Sequence, residues 1–191
     1  TGVNPSCVGV NPVVFKFEDS VRDGKPDSDY WRNMRSMLLD APLGVDLRPR
    51  AAYLDIFYFR HTEQDAIKNE LINAPGWLKF AEDQLRLTQY TIEEVIKPKL
   101  IVIANKESYA YWGKEEKYVW MGYTFEKIED TQYGELCVIT GLQPSGRIAP
   151  EMHDTQLKDT TRVLFSRSHR FLSKDKRPSA AFLQQQLSLL S

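Results

Sequence analysis

The residues of this chain that could do chemistry are few, and they gather just beyond apolar runs. Asn11 with Pro12 follows the apolar residues 6–10, and Asp55 interrupts the run A-A-Y-L-D-I-F-Y-F (51–59). Asn105 with Lys106 follows K-L-I-V-I-A (99–104), and S-R-S-H-R-F (166–171) follows a short apolar stretch at 162–165. Amides and one carboxylate make a poor strong-base set. Polar side chains at several strand ends converging on one crevice would suit a small planar ligand, with Asn11 and Asp55 the candidate reacting groups. Phe15, Phe57 and Asn105 would line a planar ligand, the rings by stacking. Each has a plainer explanation: Asn11 as a turn residue before proline, Asp55 as an acceptor for backbone amides, the rings as core, and Asn105 as a helix cap.

A second constellation is electrostatic. Arg162, Arg167, Arg170, Lys174, Lys176 and Arg177 stand against Asp175 alone near the C-terminus. They surround Ser168, His169, Phe171 and Leu172. Cations of this kind hold phosphates, and an apolar wedge among them can enter a base stack, so Arg167, Ser168, His169, Arg170, Phe171 and Lys174 are the candidate DNA contacts. A solvated basic loop is the bland alternative.

Such groups converge only if the elements bearing them lie side by side. Residues 6–10 read as a buried strand ending in the Asn11-Pro12 turn. Ser28 is placed to cap a helix with Trp31, Met34, Leu38 and Leu39 at helical spacing, ended by Pro42 and Gly44. Residues 51–59 are apolar and rich in β-formers, and are expected to form a central strand. From Pro75 to Ile96 the spacing of Leu78, Ala81, Leu85, Tyr90, Ile92 and Val95 gives a long helix, broken near 88–91 and stopped by Pro98. Residues 99–104 form the clearest buried strand and turn at once into a helix over 106–112. Residues 118–142 alternate as an antiparallel hairpin with its turn near Gly134, inserted at the surface or edge. A last strand at 162–165 and a last helix at 180–190 complete the chain. The expected fold is one α/β domain over residues 1–191, three-layer α/β/α, with a central, mainly parallel four-stranded sheet plus the inserted hairpin. In such a sheet the ligand crevice lies beyond the carboxyl ends of the strands, where the residues named above would meet.

Bulk properties are compatible with this. The 191 residues are 42% hydrophobic and 27% charged, with 25 Lys and Arg against 26 Asp and Glu, so any basic patch is local rather than global. No run approaches the length of a membrane span. Cys7 and Cys137 cannot form a disulfide framework, and His61, His153 and His169 show no metal-ligand spacing. These features lead to the expectation of a cytoplasmic protein with no metal site; a monomer that needs no cofactor is expected besides.

Three ordered segments resemble the uracil-DNA glycosylase superfamily, and most closely its mismatch-specific uracil and thymine glycosylases. G-V-N-P (9–12), with Tyr30-Trp31 twenty positions after Asn11, is similar to that group's G-I-N-P motif and later F-W. F-R-H-T (59–62) resembles the R-x-T that follows the second strand. I-K-P-K-L-I-V-I-A-N-K-E-S-Y (96–109) resembles the strand-to-helix segment ending K-x-A-Y. G-V-N-P also occurs at residues 2–5, but Asn11 rather than Asn4 has the family-like distance to Trp31. The resemblance implies a protein that flips a deaminated or mismatched base out of DNA and hydrolyses its N-glycosidic bond, a reaction that needs positioned dipoles and a held water more than a strong base, with Asn11 holding the water; Asp55, able to orient that water or the base edge, is the second catalytic candidate. Two departures leave a second class open. Val13 stands where the family has a small residue, and the last-strand loop has His169 but lacks the family's proline. The alternative is a non-catalytic nucleic-acid- or nucleotide-binding protein on the same scaffold.

Overall fold

The computed structural model describes residues 29–57, 73–115, 119–167 and 174–190. Helix α1 (Asp29–Leu38) leads into a small hairpin of β1 (Leu39–Asp40) and β2 (Val45–Asp46), then a 3-10 turn at Arg48–Arg50. Helix α2 (Trp77–Tyr90) continues as a π-helical turn, Thr91–Ile96. After it come β3 (Leu100–Ile103), a 3-10 turn at Lys106–Ser108, α3 (Tyr109–Trp112), β4 (Tyr123–Asp130), β5 (Gly134–Leu142), β6 (Arg162–Ser166) and α4 (Ala180–Ser188).

The chain is thus mixed α/β. The four-stranded sheet has the order β3-β6-β5-β4. Only β3 and β6 are parallel, in register from Leu100↔Arg162 to Ile103↔Phe165, while β5 pairs antiparallel with both β6 and β4. This corrects the expectation of a mainly parallel sheet with an inserted hairpin: the hairpin supplies half the sheet, and β5 is one of its two central strands. Alternation explains why. Leu136, Cys137 and Ile139 are all fully buried, so both faces of β5 are covered, as suits a strand paired on both sides. Among the described residues, β4 is the end strand on that side. Its Glu126–Asp130 stretch is exposed and charged, and two register shifts interrupt its pairing, features that discourage another strand from adding there.

Residues 51–57 are the second correction, because they join no strand. Leu54, Ile56 and Phe57 pack on the core while Tyr53 and Asp55 stay exposed. Exposure alternates from Tyr53 to Ile56, but no ladder forms. The expected strand at 6–10 lies outside the described residues.

Period-2 alternation divides the core. Ile103, Cys137, Ile139, Val163 and Phe165 share one sheet face with Leu85, Ile92 and Trp112 from the α2–α3 side. Leu100 and Val102 turn the other way, toward Met34, Met37 and Leu38 of α1 and Leu183 of α4. No helix among the described residues is long and apolar enough to cross a membrane.

Candidate nucleic-acid interface

The parallel pair defines the site. Because β3 and β6 run in register, Asn105 and Arg167, each two residues beyond the Ile103↔Phe165 pair, emerge at the same end of the sheet, here called the crest. Tyr109 ties the two strand ends together. Its hydroxyl donates to the Ser166 carbonyl at 2.6 Å, and its ring meets Phe165 edge-on at 4.9 Å. Burial, with the Glu135 carboxylate adding to it, pushes the Tyr109 phenol up to about 12, so it stays a donor at neutral pH.

Asn105 is the N-cap of the following turn. Its Oδ1 accepts from the Glu107 amide at 3.1 Å, and its carbonyl accepts from the Ser108 amide and hydroxyl. With one lone pair of the side-chain carbonyl committed, its NH2 and the second lone pair are left to offer a ligand edge. Arg167 is exposed, its amide donates to the Tyr133 carbonyl, and its guanidinium lies 3.5 Å from Asp130. Lys127 also pairs with Asp130, holding that carboxyl below its ordinary range. Lys174 is exposed where the chain returns toward α4.

Behind the crest, Lys114 bonds Glu135 and lies 5.1 Å above the Phe165 ring. The Cys137 thiol donates to Glu135 at 3.2 Å, and burial above all pushes it up to about 11. That thiol is packing, not a nucleophile.

The other predicted residues divide between those the structure accounts for differently and those it does not describe. Asp55 accepts from the Tyr53 hydroxyl at 2.8 Å and is exposed; with residues 51–57 outside the sheet, it does not stand at a strand end. Phe57 contacts Tyr111 edge-on at 5.0 Å and Trp77 at 6.0 Å, in a half-buried row of rings that lines the core. Asn11, Phe15, Ser168, His169, Arg170 and Phe171 lie outside the described residues, as do Asn4, Val13 and the F-R-H-T segment.

One polar centre escaped the reading of the sequence. Glu93, in the π-helical turn, is 2% exposed and accepts three hydrogen bonds: from the Tyr123 hydroxyl at 2.9 Å, the Thr155 hydroxyl at 2.5 Å and the Gln156 amide at 3.1 Å. Gln89, one turn earlier, is also buried and donates to the Met121 carbonyl. The signal was their phase. Gln89 and Glu93 continue the inward stripe of Ala81 and Leu85, where a polar residue must find partners.

Two shallow depressions open away from the crest. One, of about 540 Å³, lies at the amino ends of β3 and β6, beside Lys97, Lys99 and Thr161. The other, of about 440 Å³, lies between the Arg86–Tyr90 turn of α2 and residues 149–152. No protein-family model, no curated protein and no solved structure matches this chain.

Proposed function

We propose that this chain is a DNA glycosylase-like protein that flips a deaminated or mismatched, uracil-type base from DNA and hydrolyses its N-glycosidic bond. The observation that carries the reading is the in-register parallel pair β3–β6, which brings the strand-to-helix segment ending at Tyr109 beside the start of the basic last-strand loop at Arg167. The first is one of the three segments that resemble the family, and the second is the loop proposed to contact DNA. On this reading the fold is completed as three α/β/α layers, and the protein acts on DNA as a cytoplasmic monomer without metal or cofactor. Asn11 holds the attacking water against the sugar carbon.

The test is base release from oligonucleotides carrying uracil, other deaminated bases or mismatched thymine, read as strand cleavage after alkali. We expect release from at least one of them, and a fall of roughly 10²-fold or more in Asn11→Ala, the scale seen when one preorganised polar group leaves a site. Full activity in a folded Asn11→Ala protein would remove Asn11 from the mechanism.

One observation favours a second reading, a non-catalytic nucleic-acid- or nucleotide-binding protein on the same scaffold. Asp55, the other catalytic candidate, is bonded to Tyr53 on an exposed extended segment rather than set at a strand end. DNA binding with no base released from any of these substrates selects that reading.

A further inference from the structure

We propose that Tyr109 is a positioning residue of the nucleic-acid interface: by holding the Ser166 carbonyl, its hydroxyl sets the direction in which Arg167 leaves the sheet toward a backbone phosphate. The ligand rests on the nucleic-acid reading above; the positioning rests on the hydrogen bonds around the end of β6.

The exit of β6 is held from two flanks. On the β3 side, Asn105 caps the turn Lys106–Ser108, and that turn delivers Tyr109 to the first position of α3. From there the hydroxyl crosses to the Ser166 carbonyl at 2.6 Å, while the ring rests edge-on against Phe165. On the β5 side, Gly134 pairs with Ser166, and the Tyr133 carbonyl accepts from the Arg167 amide at 2.8 Å. That close approach requires glycine, because a Cβ on residue 134 would lie 2.1 Å from the Phe165 carbonyl oxygen.

The two groups held in this way, the Ser166 carbonyl and the Arg167 amide, belong to one peptide unit. Such a unit is planar, with its C=O and N–H pointing in opposite directions and the next Cα in the same plane. Two bonds from opposite flanks therefore fix the plane, and with it the point from which the Arg167 side chain departs. Removing the Tyr109 hydroxyl leaves a single bond, about which the plane is free to tilt. Arg167 is compensated but not enclosed: its side chain is 55% exposed, and its guanidinium lies 3.5 Å from an Asp130 carboxylate that Lys127 also engages. A phosphate that takes the place of Asp130 needs the guanidinium presented in a set orientation, since the planar fork pairs with phosphate oxygens directionally.

The measurement is a double-mutant cycle read by fluorescence anisotropy of a labelled DNA duplex with the full chain, over a series of salt concentrations. Arg167→Ala should weaken binding and make the slope of log K against log salt smaller in magnitude by about one. Tyr109→Phe, which keeps the ring on Phe165, should weaken binding by roughly 3- to 10-fold, the scale of one hydrogen bond, and move the slope in the same direction. In the Arg167→Ala background the same change should cost less than about twofold, because no guanidinium is left to aim. A general loss of stability would weaken binding equally in both backgrounds, and that result overturns the proposal. Wild-type affinity in Tyr109→Phe, or wild-type affinity and slope in Arg167→Ala, overturns it as well while the glycosylase-like reading stands. If wild type binds no DNA, single-stranded or duplex, even at low salt, the reading and the proposal fail together.

Discussion

Residues 51–57 and the helical turn around Glu93 each set one acid among apolar neighbours, and the fold treats the two acids in opposite ways. Asp55 sits in a run so apolar that burial looked unavoidable, yet it is exposed and accepts a hydrogen bond from Tyr53. Glu93 sits in a helix whose sequence carries charge throughout, yet it is sealed in with three donors. The difference is phase, not composition. From Tyr53 to Ile56 exposure alternates, with Leu54 and Ile56 on the core, and Asp55 falls on the outward side with Tyr53. Along α2 the buried stripe recurs every three to four residues, and Glu93 falls on it.

The largest effect that this comparison predicts is at Glu93. Replacing it with alanine strands the hydroxyls of Tyr123 and Thr155 and the amide of Gln156, each costing about 1–3 kcal/mol when buried without a partner. Allowing for relaxation and for the carboxylate no longer desolvated, Glu93→Ala should destabilise the fold by about 3 kcal/mol, measured by urea unfolding. A loss below about 1 kcal/mol would mean that the knot is dispensable and the contrast with Asp55 superficial.

A smaller effect is expected at Tyr123, a fully buried partner of Glu93. Burial first, and the Glu93 carboxylate second, raise its phenol well above the ordinary value. The folded state therefore holds the proton more tightly than the unfolded chain. Stability from this group is intact below pH 10, near the unfolded tyrosine's own pKa, and falls as pH rises above that. Tyr123→Phe should cost about 1 kcal/mol at pH 7. It should also flatten the alkaline decline of the unfolding midpoint above pH 10. A decline as steep as wild type's would assign the alkaline limb to another group.

The same contrast accounts for what could be read in advance. The helix ending before Pro98, the strand at 99–104, the hairpin and the last strand and helix were legible because their periodicity is long or their boundaries carry proline and glycine. The sheet order was not. Nothing in residues 118–142 says that their second strand lies against β6 and becomes central; tertiary pairing decides that. Residues 51–57 misled because β-formers report a half-buried extended surface, and that surface can pack on helices without a ladder. Leu54, Ile56 and Phe57 do so, and Thr88 of α2 donates to the Ile56 carbonyl at 2.7 Å. Of the candidate site, the crest was legible through Asn105 and Arg167.

The smallest expected change in stability belongs to Asp55, and it is the sharpest test of what that acid is for. Its one hydrogen bond, to Tyr53, lies at the surface, where water replaces a lost partner at little cost. Asp55→Asn should therefore leave the unfolding midpoint within about 0.5 kcal/mol of wild type. Because the fold does not depend on it, any change in base release is free of a stability artefact. A fall of roughly 10²-fold in base release at unchanged stability and DNA affinity would place the carboxylate at the reacting centre, as the glycosylase-like reading requires of a catalytic Asp55. Unchanged release would leave Asn11 to act without it and reduce Asp55 to an outward residue of an extended segment, and the contrast with Glu93 would then be complete: one acid that holds the fold, and one that serves neither fold nor chemistry.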